Sequence, residues 1–137
     1  KASTSMKVST DKQQLDLPII YDFLHHEAYW SKGRSMDIVK RSIEHSLCFG
    51  LYDEGQQIGF ARVVSDYSIF AWLMDVFVLP SHRGQGGGKL LLEAILQHPE
   101  LKTVKTWGLK THDAHLLYQQ FGFQQLSIPE HFMELKR

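Results

Sequence analysis

The stretch from Leu73 to Leu92 constrains the fold more than any other part of the chain. It reads LMDVFVLPSHRGQGGGKLLL: an apolar strand broken only by Asp75, a stop at Pro80, a basic glycine-rich turn and a leucine-rich helix. Proline ends a strand because it has no N–H to donate to the sheet. The first N–H groups of a helix lack internal partners and the helix dipole is positive there, so this arrangement attracts anions. The stretch therefore predicts a phosphate-binding loop.

Spacing within this loop excludes two common nucleotide loops. A Walker A loop ends in Gly-Lys-Ser/Thr, but here Leu90 follows Gly88 and Lys89, and Arg83 stands where the first glycine is required. The dinucleotide fingerprint Gly-x-Gly-x-x-Gly also fails. Its third glycine position is Lys89 when counted from Gly84 and Leu91 when counted from Gly86. The loop instead fits Arg-x-x-Gly-x-Gly, with Arg83, Gly86 and Gly88 at the fixed positions.

Composition narrows the class of protein. A chain of 137 residues that is 43% hydrophobic is long enough for one packed core, so residues 6–137 are predicted to form a single domain. Fifteen basic and fifteen acidic residues cancel, which argues against a nucleic-acid partner. No apolar run approaches the length of a membrane span, and no signal peptide is visible, so no membrane partner is expected.

Two further features are the single cysteine and the residues that precede Met6. Cys48 is the single cysteine and lies in an apolar run, so it is expected to be a buried hydrophobic residue rather than a nucleophile or half of an internal disulfide. A reducing, cytoplasmic location is the simplest inference. Residues 1–5 precede Met6 and are expected to be foreign to the native sequence and disordered.

Hydrophobic periodicity predicts helices and strands along the whole chain. Helices are expected at 17–29, 36–45, 87–98 and from Ala114 to Phe121, the last capped by Asp113. Strands are expected at 7–10, 47–52, 57–65, 69–79 and 102–110, with two short final strands at 124–126 and 132–135. His25 and His26 are adjacent and point apart on a helix, so no metal site is expected.

A second motif identifies a family. The segment 113–123, DAHLLYQQFGF, fits Ala-x-x-Leu-Tyr-x-x-x-Gly-Phe, and it follows the glycine loop with one strand between them. The two motifs together resemble the GCN5-related N-acetyltransferases (GNAT), whose coenzyme A pyrophosphate loop has the Arg-x-x-Gly-x-Gly pattern. The resemblance implies an α/β (α+β) GNAT fold. Its central sheet would be mixed but mostly antiparallel, with about six to seven strands splayed at the cofactor site and about four flanking helices.

The resemblance also implies acetyl-coenzyme A as the cosubstrate. Its pyrophosphate would lie on the loop and its pantetheine arm would pair, like an added strand, with the backbone of β-strand residues before the loop. The residues so implied are Phe77, Val78, Arg83, Gly84, Gln85, Gly86, Gly87, Gly88, Lys89 and Thr111. Thr111 stands where family members often have asparagine, and Gly87 replaces a larger apolar residue.

By the same resemblance, Tyr118 would be the acid that protonates the coenzyme A thiolate, because a phenol is protonated at neutral pH. Asp75 has two readings. It could take the proton of the attacking amine, or it could pair with a basic residue and only shape the sheet, since an unpaired buried carboxylate is unfavourable. The neighbouring Met74 occupies a place where some relatives carry a carboxylate.

The acceptor is less constrained. Candidates for the walls of its pocket are Tyr29, Trp30, Arg34, Tyr67 and Trp72. Aromatic rings with Asp66 and Asp75 would suit a cationic amine, whereas Arg34 would suit an acceptor that bears a carboxylate, and both possibilities stay open.

Three functions follow from these features. The leading hypothesis is acetyl transfer from acetyl-coenzyme A to the primary amine of a small molecule by direct attack. The alternatives are a protein or peptide N-acetyltransferase and a non-catalytic coenzyme A-binding regulatory module. The resemblance also allows a homodimer.

Overall fold

A computed structural model describes residues 5–137. The expectation for residues 1–5 therefore falls, except for Ser5, outside the described residues; Ser5 donates a hydrogen bond to Asp53. One sheet has the strand order β1-β2-β3-β4-β5, in which β4 and β5 are parallel and the other neighbours antiparallel. Its strands are β1 (Met6–Ser9), β2 (Leu47–Asp53), β3 (Gln56–Ser65), β4 (Phe70–Val78) and β5 (Thr106–Leu109). The helices are α1 (Leu17–Asp22), α2 (Met36–Glu44), α3 (Gly87–Gln97) and α4 (His115–Gln119).

The helices begin where the sequence supplies caps. Asp16 and Ser35 accept hydrogen bonds from the first turns of α1 and α2. The predicted helix 17–29 is not uniform, because α1 continues as a π-helical turn over Phe23–Glu27. Short 3₁₀ turns lie at Lys12–Gln14, Pro80–His82 and Pro129–His131.

Helices cover both faces of the sheet and bury two apolar clusters. One cluster joins the sheet to α3 and includes Leu73, Leu91 and Ile95. The other joins it to α1 and α2 and includes Phe77 and Val39. The alternation of side chains along β4 therefore changes face between Leu73 and Phe77, which requires an irregularity in the strand.

The expected sheet of six to seven strands is wrong in its count, because the described residues form five. Residues 124–126 and 132–135 do not pair as strands, and only the 3₁₀ turn at Pro129–His131 is regular there. Apolar side chains of this segment are exposed, with Leu126 56%, Phe132 47%, Met133 91% and Leu135 78% accessible. A strand needs hydrogen-bond partners on a neighbour, and in the described chain β5 has β4 as its one neighbour.

Candidate active site

A β-bulge in β4 creates the site. Arg62 pairs with Met74 and Phe60 pairs with Phe77, so Asp75 and Val76 together stand opposite one residue of β3. Asp75 adopts φ +55°, a left-handed conformation that is strained for a non-glycine residue. The bulge turns Met74 and Asp75 to the same side of the sheet, where both contact Arg62.

Strands β4 and β5 separate at the bulge. They pair only from Phe70 to Leu73 on β4 and from Thr106 to Leu109 on β5. Beyond Leu73, β4 continues to Val78 without β5 beside it. This is the splay that the family resemblance predicts.

A cavity of about 550 Å³ lies at this separation. It is lined by Tyr29, Trp30, Arg34, Trp72, Leu73, Met74, Asp75, Val76, Lys110, Thr111, His112, Asp113, Ala114, Tyr118 and Lys136. The structure therefore brings together both proposed catalytic residues, Asp75 and Tyr118, with Thr111 and four of the five acceptor candidates.

Tyr67 is the exception among the acceptor candidates and does not line this cavity. It lies in the turn between β3 and β4, at φ +61°, and is 41% exposed. Sequence reasoning named none of Val76, Lys110, His112, Asp113 or Lys136 as wall residues. Most of these adjoin named residues in sequence, but Lys136 lies near the end of the chain and carries no local signal.

Asp75 is the centre of a buried network of hydrogen bonds. Its side chain is 1% exposed, and Oδ2 accepts from Arg34 Nη1 at 2.8 Å and from Arg62 Nε at 2.9 Å. Oδ1 accepts from Trp30 Nε1 at 3.0 Å, and Arg62 Nη1 donates further to Ser46 Oγ at 2.9 Å. Of the two readings of Asp75, the structure shows the pairing with basic residues; two arginines share its charge.

The loop after the π-helical turn forms one wall of the cavity. Tyr29 Oη accepts from the backbone N–H of His112 at 3.1 Å, and the two rings pack edge to face with centroids 5.3 Å apart. Trp30 packs against Tyr29 with ring centroids 5.2 Å apart. This contact joins the N-terminal part of the chain to the segment that follows β5.

Tyr118 also lines the cavity. It is 8% exposed and packs edge to face on Phe123. Burial raises the pKa of its phenol to about 12, and the charge of Asp113 acts in the same direction. The phenol therefore stays protonated at neutral pH. Asp113 does not cap α4 as expected; instead Thr111 Oγ1 accepts from the N–H of Ala114 at 3.0 Å.

The predicted phosphate loop follows β4 at the same edge of the sheet. Gly84 (φ +77°) and Gly86 (φ +86°) both adopt left-handed conformations, which explains glycine at these positions. Gly86 precedes α3 and provides no side-chain cap, so the first N–H groups of α3 stay available in the described chain. His82 Nε2 lies 2.9 Å from Asp53 Oδ2 and ties the start of the loop to β2.

The other two glycines of the loop are explained by packing. A Cβ on Gly87 would lie 2.8 Å from Leu51 Cδ2, and one on Gly88 would lie 3.2 Å from Leu117 Cδ2. Helix α3 therefore begins in close contact with β2 and with the residue next to Tyr118. A loop with left-handed glycines, open N–H groups and no side-chain bulk fits a pyrophosphate group.

The remaining predicted cofactor residues occupy the end of β4 and the loop surface. Phe77 is buried and stacks on Phe23 with centroids 4.1 Å apart. Val78 accepts a hydrogen bond at its carbonyl from Arg83 Nε at 3.0 Å. Lys89 is exposed on the first turn of α3.

Residues 5–137 contain neither a metal-ligand cluster nor a membrane-spanning helix. They contain no group of three or more His, Cys, Asp or Glu side chains placed to hold a metal ion. None of their helices has both the length and the apolar character needed to cross a membrane.

Comparison with known proteins identifies the family. Residues 44–125 match the family model described as the acetyltransferase (GNAT) domain. The chain belongs to the GNAT acetyltransferases. These are acyl-coenzyme A-dependent N-acetyltransferases, so both the fold and the enzyme class expected from the two motifs are confirmed.

Three relatives illustrate the range of the family. A crystal structure from Xanthomonas campestris pv. campestris, described as belonging to the GNAT family, matches with a TM-score of 0.95 and 43% identity over 100% of this chain and 96% of its own. The ribosomal protein bS18-alanine N-acetyltransferase of Haemophilus influenzae is 28% identical over 93% of this chain and 88% of its own length. The spermine/spermidine N(1)-acetyltransferase of Bacillus subtilis is 35% identical over 55% and 57% of the two lengths.

Proposed function

We propose that this GNAT enzyme transfers an acetyl group from acetyl-coenzyme A to the primary amine of a small molecule. The observation that carries the proposal is the cavity between the splayed β4 and β5, which has Tyr118 in its wall. The phosphate loop leaves β4 at the same edge of the sheet, and Gly88 is close to the residue that precedes Tyr118. Donor loop, proposed acid and acceptor space are thus adjacent.

The loop from Arg83 to Lys89 would hold the pyrophosphate of acetyl-coenzyme A through its backbone N–H groups. The backbone of Phe77 and Val78 would pair with the pantetheine arm. The hydroxyl of Thr111 already accepts from Ala114, so its own hydrogen is what it can donate to the cofactor. The cosubstrate would supply the acetyl group as a reactive thioester.

The reaction forms one bond and breaks one. The amine nitrogen bonds to the acetyl carbon, the carbon–sulfur bond breaks, the amine loses a proton and the thiolate gains one. Tyr118 would donate the proton to the sulfur as the carbon–sulfur bond breaks, since its raised pKa keeps the phenol protonated at neutral pH. The cavity opens to solvent, and water would carry the proton away from the amine.

Asp75 has a positioning role in this proposal. Each of its oxygens already accepts a hydrogen bond, and two of the three donors are cationic. Three of the about four hydrogen bonds that a carboxylate can accept are therefore already made. Asp75 would instead fix Trp30 and Arg34 in the acceptor wall.

A protein N-terminus is the second candidate acceptor. It is favoured by the match to the bS18-alanine N-acetyltransferase, which covers more of this chain than the match to the spermine/spermidine enzyme. Two observations favour the small molecule. The cavity measures about 550 Å³, and the contact between Tyr29 and His112 bounds one side of it.

The test is thiol release from acetyl-coenzyme A with three acceptor classes: free amino acids, polyamines and short peptides with a free N-terminus. Turnover with a small amine that falls by about 10²-fold or more in Tyr118→Phe supports the proposal. Turnover confined to peptides supports the protein acceptor. Tight binding of acetyl-coenzyme A without turnover on any amine would establish the non-catalytic module and overturn the proposal.

A further inference from the structure

The two carboxylates that the sequence suggested for a cationic acceptor, Asp66 and Asp75, are already engaged. Asp75 is shared by Arg34 and Arg62 and accepts from Trp30. Asp66 lies in the β3–β4 turn, where Oδ1 accepts from the N–H groups of three following residues (68–70), and these bonds lower its pKa. Asp66 also does not line the cavity. Neither carboxylate is available to bind a polyamine.

Arg34, in contrast, keeps donors available. Only its Nη1 has a partner in the described chain, the carboxylate of Asp75 at 2.8 Å. The edge formed by Nε and Nη2 has none there, and this edge of a guanidinium binds a carboxylate through two parallel hydrogen bonds. The side chain lines the cavity and is 17% exposed, so it is partly shielded from water. Asp75 holds it in place without using this edge.

The other charged side chains around the cavity also favour an acceptor with a carboxylate over a polycation. Lys110 pairs with Glu134. Lys136 and Asp113 line the cavity and have no ion-pair partner among residues 5–137. His112 also lines the cavity. A polycation would meet Arg34 and Lys136, besides the paired Lys110, and only one available carboxylate, that of Asp113, whereas an amine that carries a carboxylate would find a partner for each of its charges.

We propose that the acceptor is a small amine bearing a carboxylate, such as a free amino acid, and that Arg34 binds this carboxylate. The inference rests on the proposed acetyl transfer to a small amine. Asp113, in the wall beside Tyr118, offers a counter-ion for the incoming ammonium group. The acceptor would span from Arg34 to the side of the cavity where the thioester must lie.

Matched substrates test the proposal. Thiol release from acetyl-coenzyme A is measured with free amino acids, with their uncharged amides and with the decarboxylated amines, for example phenylalanine, phenylalaninamide and phenethylamine. We expect kcat/KM for the acids to exceed that for the amides by about tenfold to a hundredfold, the range for a hydrogen-bonded charge. Short peptides carry the carboxylate farther from the amine than a free amino acid does, so they show whether the distance between the two groups matters.

Three variants assign the effect to Arg34. In Arg34→Gln the ratio of acid to amide should fall to about one, and in Arg34→Lys it should be intermediate, because an ammonium lacks the planar fork. Lys136→Gln removes a positive charge from the same wall and should lower the ratio less. The ratio is measured within one preparation, so partial loss of folded enzyme does not change it.

Four outcomes would overturn the inference. Amides or diamines used as well as acids would refute the carboxylate, while leaving acetyl transfer intact. An unchanged ratio in Arg34→Gln, or an equal fall in Lys136→Gln, would refute the role of Arg34. No thiol release with any amine would refute the inference and the proposed function together.

Discussion

Substituting Asp75 by Asn should destabilise the protein strongly. The change removes the negative charge from a site 1% exposed, where Arg34 and Arg62 both donate to Oδ2. It also places an amide group, itself a donor, against those guanidinium groups. The Arg62 side chain is only 8% exposed, so its charge would stay buried without a counter-ion.

The size of the effect follows from these contacts. Removing one partner of a buried ion pair costs about 3–5 kcal/mol, because the other charge is left unpaired. Most domains are stable by only about 5–15 kcal/mol, so the loss would be a large fraction of the total. The hydrogen bond from Trp30 to Oδ1 can also form in the asparagine variant, so its loss does not add to the expected destabilisation.

Urea unfolding followed by circular dichroism at 222 nm measures this loss without relying on the fluorescence of Trp30. Asp113→Asn is the matched control, because Asp113 is exposed in the same cavity, and it should change the free energy of unfolding by no more than about 0.5 kcal/mol. Adding Arg62→Met to Asp75→Asn removes the buried charge, so the double variant should lose less than the sum of the single losses. A loss below about 1 kcal/mol in Asp75→Asn, or simple additivity in the double variant, would refute the reasoning.

Three further outcomes follow from the structure. With the pKa of Tyr118 at about 12, kcat should show no alkaline fall caused by Tyr118 below about pH 10; such a fall in the wild type that is absent from Tyr118→Phe would contradict this. Gly87→Ala should destabilise by up to about 2 kcal/mol, since overpacking against the fully buried Leu51 costs about 1–3 kcal/mol and the gain in helix propensity is about 1 kcal/mol, and Gly88→Ala should be milder. The reverse order in urea titrations would count against the packing argument. Burial raises the pKa of Cys48 to about 11, so at pH 8 a thiol reagent should label it only after unfolding, and rapid labelling of the native protein would show that it is not enclosed.

Local chemistry made much of the donor side predictable. The stop at Pro80, the glycines at the left-handed positions 84 and 86 and the start of α3 are encoded within one short segment. The same holds for Tyr118, whose helix and Gly-Phe end form one motif. Spacing along the sequence is enough for such features because their parts are neighbours in the chain.

The acceptor side was less predictable because its parts are distant in sequence. Arg34 lies 41 residues from Asp75, and the backbone N–H of His112 meets the hydroxyl of Tyr29 across 83 residues. Tyr67 was misplaced because its sequence distance from Trp72 does not show that the chain turns away from the cavity between them. The two final strands were predicted from alternation alone, which cannot show whether a partner strand is within reach.

The sequence by itself thus determined the family, and with it the acyl-coenzyme A-dependent chemistry, and it pointed to the glycine loop that we propose for the phosphates, since these depend on short contiguous motifs. Only the tertiary structure decided what surrounds Asp75. The bulge at this residue turns it towards Arg62, and the loop carrying Arg34 closes over it. In sequence, a carboxylate in an apolar strand is equally compatible with a base and with an ion-pair partner, and only the positions of distant cations show that this one is paired.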